Sequence, residues 1–170
     1  MKLAGFVLVA VALAGSAVAQ HKDSSIQPNP AFDKMKTLVG EWEGTVNEGG
    51  KETSTRSSFR MVSDGSALMN TLGSGTPHEM ITMFHMDGKE LMATHYCAAH
   101  NQPRFRAVPG SDPRVVAFEF KDATNVATPQ TGHMVQVKFT MLDPNHHVEE
   151  WTFQENGKRE TGRFDFHRKK

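Results

Sequence analysis

Apolar and polar residues alternate along most of the chain after residue 40, in runs separated by short turn sequences. Such alternation is typical of β-strands that bury one face. Asp-Gly, Asn-Gly and Gly-Gly pairs tolerate the positive φ angles of two-residue hairpin turns, so they indicate where one strand ends and the next begins. The turns that support this interpretation are Gly49-Gly50, Asp64-Gly65, Asp87-Gly88, Asp143-Pro144-Asn145 and Asn156-Gly157. The pattern predicts strands at about residues 41–48, 51–62, 66–73, 78–86, 89–97, 102–108, 114–120, 132–142, 146–155 and 158–168.

Consecutive hairpins form an antiparallel meander, and a meander of this length avoids exposed edges by closing on itself. The sequence therefore predicts an all-β fold, an up-and-down antiparallel β-barrel of about ten strands. A short helix at residues 29–39 precedes it, because Asn29 suits the N-cap and Pro30 suits the first helical position. Residues 121–131 form the long link between two strands.

The turns also predict which side chains face the interior. The turn at residues 156–157 places Glu149 and Trp151 on one face and polar pairs, one of them of opposite charge, on the other, so the first face is the inward one. A three-residue loop after strand 132–142 pairs Phe139 with Glu149 and supports the same assignment. Alternation along that strand then places His133 inward. Further predicted pairs are Trp151 with Gly162, Glu149 with Phe164, His147 with Phe166, Glu43 with Arg56, and Phe59 with Asn70.

The first residues carry the features of a secretory signal peptide. Lys2 precedes an apolar run at residues 3–14, and Ala17-Val18-Ala19 fits a cleavage site. The apolar run is shorter than the ~20 residues that a membrane span needs. We therefore expect a signal peptide at 1–19, a flexible lead-in at 20–28, a barrel domain at 29–170, and export to the periplasm or the medium.

Charge and cysteine content limit the classes of function. The chain has 19 basic and 19 acidic residues, and loss of Lys2 with the signal peptide leaves 18 basic residues. A near-neutral domain lacks the basic surface typical of nucleic-acid binders. With a single cysteine, Cys97, the chain cannot form an intrachain disulfide.

Two motifs resemble known families. Gly40-Glu41-Trp42-Glu43-Gly44 follows the predicted helix and resembles the Gly-x-Trp opening of lipocalin-like barrels, the calycin superfamily. The ten strands are more similar to its fatty-acid-binding and nitrobindin-like members than to eight-stranded lipocalins. The block at residues 95–104, His-Tyr-Cys-Ala-Ala-His-Asn-Gln-Pro-Arg, resembles a family of exported bacterial proteins of unknown function.

These resemblances imply roles for particular residues. In lipocalin-like barrels the motif Trp closes one end beneath the helix, which implies that role for Trp42. Nitrobindin-like barrels place a His on haem iron, which implies haem as a cofactor here, with His133, His147 or His95 as the axial ligand. Asn101 is a candidate ligand-binding residue within the 95–104 block.

The Asp87-Gly88 turn suggests a metal site. If these two residues form the loop, His78 lies opposite Cys97 and His95 lies opposite Met80, so two histidines and a thiol cluster on one face. Directly opposed Cβ atoms are about 5 Å apart, close enough to share a transition-metal ion. The alternative is a hydrogen-bonded cluster without metal, and the pattern does not decide which face of this hairpin lines the lumen.

Two further sites are candidates for ligand chemistry. Glu149 is predicted among aromatic side chains, where a carboxylate must be paired, protonated or used in catalysis or binding. His133 and His147 are its candidate partners. The alternative is that Glu149 lies at the solvated mouth of the barrel. Arg104 and Arg106 share one face of their strand and could grip a carboxylate. Their alternative position is the outer face of the barrel.

We expect a binding protein that holds a small apolar or amphipathic molecule in its lumen, with Trp42, His95, Asn101, Arg104, His133, Glu149 and Trp151 as candidate contacts. Barrels of more than eight strands leave room for a ligand. One alternative is a haem- or metal-binding barrel. A second is an isomerase or lyase that uses Glu149 or a His as acid and base.

Overall fold

A computed structural model describes residues 28–170, so the predicted signal peptide and nearly all of the lead-in lie outside the described residues. One helix and ten strands follow in chain order. They are α1 (Pro30–Lys36), β1 (Gly40–Glu48), β2 (Lys51–Val62), β3 (Ala67–Leu72), β4 (Met80–Asp87), β5 (Glu90–Tyr96), β6 (Gln102–Val108), β7 (Val115–Thr124), β8 (His133–Asp143), β9 (His146–Glu155) and β10 (Lys158–Arg168).

The ten strands form a closed antiparallel barrel in which each strand pairs with its neighbours in sequence and β1 pairs with β10. The predicted fold class is therefore confirmed. The main difference in strand bounds is β7, which continues to Thr124 and shortens the link to β8. The described residues include no helix that is long and apolar enough to cross a membrane.

Helix α1 caps one end of the barrel. The Asn29 side chain accepts hydrogen bonds from the backbone N–H groups of Ala31 and Phe32, as expected of an N-cap. Phe32 and Met35 are buried against the core. Trp42 lies below the helix, where its indole N–H donates to the Leu38 carbonyl oxygen at 2.8 Å. The predicted structural role of this Trp is confirmed.

Two glycines of the Gly-x-Trp-x-Gly stretch are required by close approach. Gly40 has φ of +138°, and a Cβ there would meet the Arg168 guanidinium. At Gly44 a Cβ would overlap the backbone carbonyl of Asp165 on β10. The motif therefore allows β1 to close tightly against β10 while the chain leaves the helix.

Most of the predicted hairpin registers are confirmed. Gly49 and Gly50 both have positive φ, as do Asn156 and Gly157, which suits two-residue turns with two left-handed positions. The confirmed pairs are Glu43 with Arg56, Phe59 with Asn70, Trp151 with Gly162, Glu149 with Phe164, His147 with Phe166, and Phe139 with Glu149.

The predicted β4–β5 register is wrong by two residues. Asp87 pairs with Glu90, so the loop residues are Gly88 and Lys89. Gly88 alone has positive φ at this turn, which matches a turn with glycine at its first central position. His95 consequently pairs with Thr82 rather than with Met80.

The predicted inward position of His133 is also wrong. The β8–β9 register shifts between Met134 and Gln136, which leaves Val135 as an extra residue. Such a bulge reverses the alternation on one side of it. Met134 therefore pairs with the inward Phe153, and His133 pairs with Gln154 on the outer face.

Aromatic side chains fill most of the lumen. Phe139 contacts the rings of Phe59, Phe84 and Trp151, with centroid distances of 5.6–6.4 Å. All four side chains are at most 2% exposed. Inward aromatic side chains therefore fill the barrel from the capped end up to Trp151, so any room for a ligand inside it lies beyond Trp151.

Candidate functional site

Glu149, Trp151 and His147 form a buried polar cluster within the filled core. Glu149 is 0% exposed and accepts hydrogen bonds from the Trp151 indole N–H at 2.8 Å and from His147 Nε2 at 3.1 Å. The residues lie on β9 at alternate positions, so one strand orients all three. Glu149 is thus paired with His147, one of its two predicted partners, and the alternative of a solvated carboxylate is wrong.

His95 forms a second buried polar contact beside Trp151. Its Nδ1 is 2.8 Å from the Thr82 hydroxyl, and its Nε2 has no hydrogen-bond partner among residues 28–170. The ring centroids of His95 and Trp151 are 4.7 Å apart. Burial lowers the pKa of His95 to about 4, so the imidazole is neutral at ordinary pH.

A cavity of about 240 Å³ lies above Trp151 at the end of the barrel opposite α1. Its volume exceeds the ~150 Å³ apolar cavity known to bind benzene and is below the ~300–1,000 Å³ of drug-sized pockets. Apolar side chains from five strands form its walls: Leu72, Met80, Met134, Trp151, Phe153 and Phe164.

The rim of this cavity is acidic. Glu48 and Glu160 are the only charged side chains among the described residues that line it, and both are exposed. Gly162 makes room for Glu48, because a Cβ at this glycine would lie 3.0 Å from the Glu48 carboxylate. The rim therefore favours neutral or cationic groups over anionic ones.

The predicted His78–His95–Cys97 metal site does not form. His78 precedes β4 and is exposed, whereas His95 is buried and contacts Thr82. In residues 28–170 these three side chains are not among the groups whose ligand atoms converge. Cys97 is half-buried in the β5–β6 turn, and burial raises the pKa of its thiol.

Arg104 and Asn101 lie outside the cavity. The Arg104 guanidinium is on the outer face, where it donates two hydrogen bonds to Asp122 at 2.5 and 2.7 Å. Asn101 is buried and its amide donates to the Gly132 carbonyl oxygen at 2.8 Å, which ties the β5–β6 turn to the start of β8. The Arg104 guanidinium is thus paired within the protein, whereas Asn101 Oδ1 is buried without a hydrogen-bond partner among residues 28–170.

His133 borders a groove of about 770 Å³ on the outer face. The groove lies where β7 and β8 stop pairing after Glu119 and Gln136, beneath the 126–129 segment. His133 Nδ1 is 2.6 Å from the Thr131 carbonyl oxygen, and its ring is 5.0 Å from that of Phe120. Sequence alternation missed the place of His133 in this groove because the bulge at Val135 reverses the alternation there.

The three predicted axial histidines differ in whether haem fits beside them. His95 and His147 are 0% exposed and are packed against Trp151 and Trp42, and the 240 Å³ cavity is too small for a porphyrin. His133 is also buried, at 4% exposed, but it borders a groove within the size range of ligand pockets. Lys121 and Arg159 on its walls could bind propionates.

Among the cavity residues, only Trp151 was a predicted ligand contact. Phe153 could have been found, since it continues the inward alternation of β9 from Trp151. Met80 lies on the hairpin whose inward face the sequence leaves undecided. Glu48 could not have been found, because the turn at Gly49-Gly50 gives no indication that this carboxylate leans over Gly162.

No family model and no curated protein matches the chain. Among solved structures, it is similar to the crystal structure of Rv2717c from M. tuberculosis, at 13% identity and a TM-score of 0.55. The alignment covers 85% of this chain and 100% of the other. At this identity the similarity shows the fold alone, a closed antiparallel β-barrel.

Proposed function

We propose that the protein binds a small apolar or amphipathic molecule, about the size of a single ring, at the open end of the barrel. The observation that supports this is the 240 Å³ apolar cavity above Trp151. Because Glu48 and Glu160 form the rim, the polar end of the ligand is neutral or cationic rather than a carboxylate.

A pair of probes with opposite charge tests this proposal. Phenethylamine and phenylacetate have the same ring and similar length, and NMR reports binding through the indole N–H signals of the two tryptophans. We expect phenethylamine to shift the Trp151 signal and leave that of Trp42 unchanged, because Trp42 lies at the capped end. An unchanged Trp151 signal with both probes would overturn the proposal.

A variant that fills the cavity, compared with a control variant of the same strand, tests where the probe binds. Met134→Trp adds bulk inside the cavity, whereas Leu142→Trp adds it to an exposed position on the same strand. We expect the first variant to lose the Trp151 response and the second to retain it. Native mass spectrometry of protein purified from its own cells would then identify the natural ligand.

A second candidate function is haem binding in the outer groove. His133 would supply the imidazole, and Phe120 and Val135 would supply apolar walls. Four charged residues line the groove: Lys121 and Arg159 would bind the propionates, Asp122 is paired with Arg104, and Glu119 is the remaining carboxylate. When bound, haem would supply an iron centre for gas or redox chemistry. Added haemin should give a Soret band that His133→Ala abolishes and His78→Ala leaves unchanged; no band with the unmodified protein would refute this function.

We also infer that the protein is exported and that cleavage follows Ala19. The sequence of residues 1–19 supports this, as described above. The intact mass of protein from its own host should correspond to a chain that begins at Gln20. A mass that includes residues 1–19 would contradict export by this signal.

A further inference from the structure

A cluster of two histidines and a carboxylate lies on the outer face of β9 and β10. His146 pairs directly with His167, and Asp165 is two residues before His167 on the same face. Neither the cavity at the open end nor the outer groove includes these residues. His146 and His147 are adjacent on β9 and point to opposite faces, so the pattern within this strand does not reveal the partner of His146 on β10.

The ligand atoms of this cluster converge. His146 Nε2 is 2.8 Å and His167 Nε2 is 3.7 Å from the same carboxylate oxygen, Asp165 Oδ1. One ligand atom from each residue lies within 4.8 Å of the others. In a tetrahedral site with bonds of ~2.0 Å, ligand atoms are roughly 3.3 Å apart, and the two nitrogen–oxygen distances lie on either side of that value.

The strands hold both rings side by side. The imidazoles of His146 and His167 stack with centroids 4.2 Å apart and planes 22° from parallel. Because an imidazole binds a metal ion in the plane of its ring, one of the two rings must rotate about its Cβ–Cγ bond before both Nε2 atoms can bind the same ion. Both side chains are partly exposed, which leaves room for that rotation.

We propose that His146, Asp165 and His167 bind a divalent transition-metal ion on the barrel surface, for which Zn²⁺ is the test ion. Two imidazoles and a carboxylate suit zinc and its neighbours in the first transition series. Three protein ligands leave a coordination position for water or another molecule.

The charged groups around Asp165 leave its Oδ1 atom free to bind a metal ion. Arg163 contacts the other oxygen, Oδ2, at 3.0 Å, which leaves Oδ1 directed at the histidines. Glu43 lies opposite His167 on β1, and Lys169 already binds its carboxylate at 3.1 Å.

Solvent reaches the cluster. The exposed fractions of the side chains are 26% for His146, 29% for Asp165 and 66% for His167. An ion can therefore enter without opening the barrel. The alternative is a stacked histidine pair in which His146 donates its hydrogen bond to Asp165 and no metal binds.

Calorimetric titration with Zn²⁺ tests the proposal on protein that carries no polyhistidine tag. We expect one site per chain, at least tenfold weaker in His146→Ala and in Asp165→Asn, and unchanged in His78→Ala, which removes an exposed histidine elsewhere. Mg²⁺ should not compete, because it prefers oxygen ligands.

Thermal unfolding gives an independent measurement. Zn²⁺ should raise the midpoint for the unmodified protein and for His78→Ala, and should not raise it for His146→Ala. Absence of saturable zinc binding, or binding that both cluster variants retain, would overturn the proposal. Neither result affects the Trp151 test, because the cluster lies near the capped end of the barrel.

Discussion

At the residue scale, the barrel interior depends on a few polar groups whose partners are specific. Glu149 has two donors, and Asn70 donates from its amide to the Ser57 hydroxyl and the Ser58 carbonyl oxygen. A buried polar atom that loses its partner costs about 1–3 kcal/mol. These contacts therefore select one arrangement of the surrounding aromatic side chains.

Glu149→Gln should lower the free energy of unfolding by about 1–3 kcal/mol. The amide keeps one acceptor oxygen but places an N–H donor against the donor of Trp151 or His147. Urea unfolding measures the loss. Glu150→Gln is the matched control, because Glu150 is half-buried on the outer face and pairs with Lys138, so its loss should stay below about 1 kcal/mol.

His95 should make the protein less stable as the pH falls from about 6.5 to 4. In the unfolded chain the imidazole takes up a proton near pH 6.5, whereas in the folded protein its pKa is about 4. The unfolded state therefore binds more protons in this range, and acid favours it.

Urea unfolding at two pH values measures this effect. Between about pH 7 and about pH 4.5, His95 should account for a loss of about 2 kcal/mol. His95→Gln should show a smaller loss over that interval, and His78→Gln should match the unmodified protein. An equal pH dependence in all three proteins would contradict the prediction.

At the element scale, turn chemistry made most registers predictable. Where both residues of a pair accept positive φ, as at Asn156-Gly157, the pair fixes the loop and hence the faces. The Asp87-Gly88 pair led to a wrong β4–β5 register, because only Gly88 has a positive φ and Asp87 remains paired with Glu90 in the ladder. The bulge at Val135 has no sequence marker, so alternation gave the wrong face for His133.

The close contact of β1 with β10 should make Gly44 intolerant of a side chain. Gly44→Ala places a Cβ against the Asp165 carbonyl, so the strands must separate. Overpacking of this kind costs about 1–3 kcal/mol. Gly110→Ala is the control, because no atom lies within 4 Å of a Cβ there. Thermal unfolding should show a lower midpoint for Gly44→Ala alone.

At the scale of the whole molecule, Arg168 joins the helix, the last strand and the β8–β9 loop. Its guanidinium donates to the carbonyl oxygens of Thr37 and Val39 at the end of α1 and to that of Pro144. It also lies 4.2 Å above the Trp42 ring. The Arg168 side chain therefore connects helix α1 to the strands at the capped end of the barrel.

Arg168→Lys should loosen this cap while the barrel stays folded. A lysine cannot donate in three directions from one planar group or stack on Trp42 in the same way. Hydrogen exchange should be faster at the amides of α1 and at the Trp42 indole N–H, with β5 and β6 unchanged. Equal protection of α1 in both proteins would show that Phe32 and Met35 suffice.

The seam between β1 and β10 also bears on how fast the protein folds. Trp42 pairs across it with Arg168, which lies 126 positions later in the chain, so nearly the whole chain is needed before the seam can form. Contacts of such long sequence separation slow folding, because a large loop must close before they contribute. During synthesis, the helix and β1 leave the ribosome long before their partner strand exists. Their apolar side chains therefore stay exposed until the later strands complete the core, and chaperones can bind them during that interval.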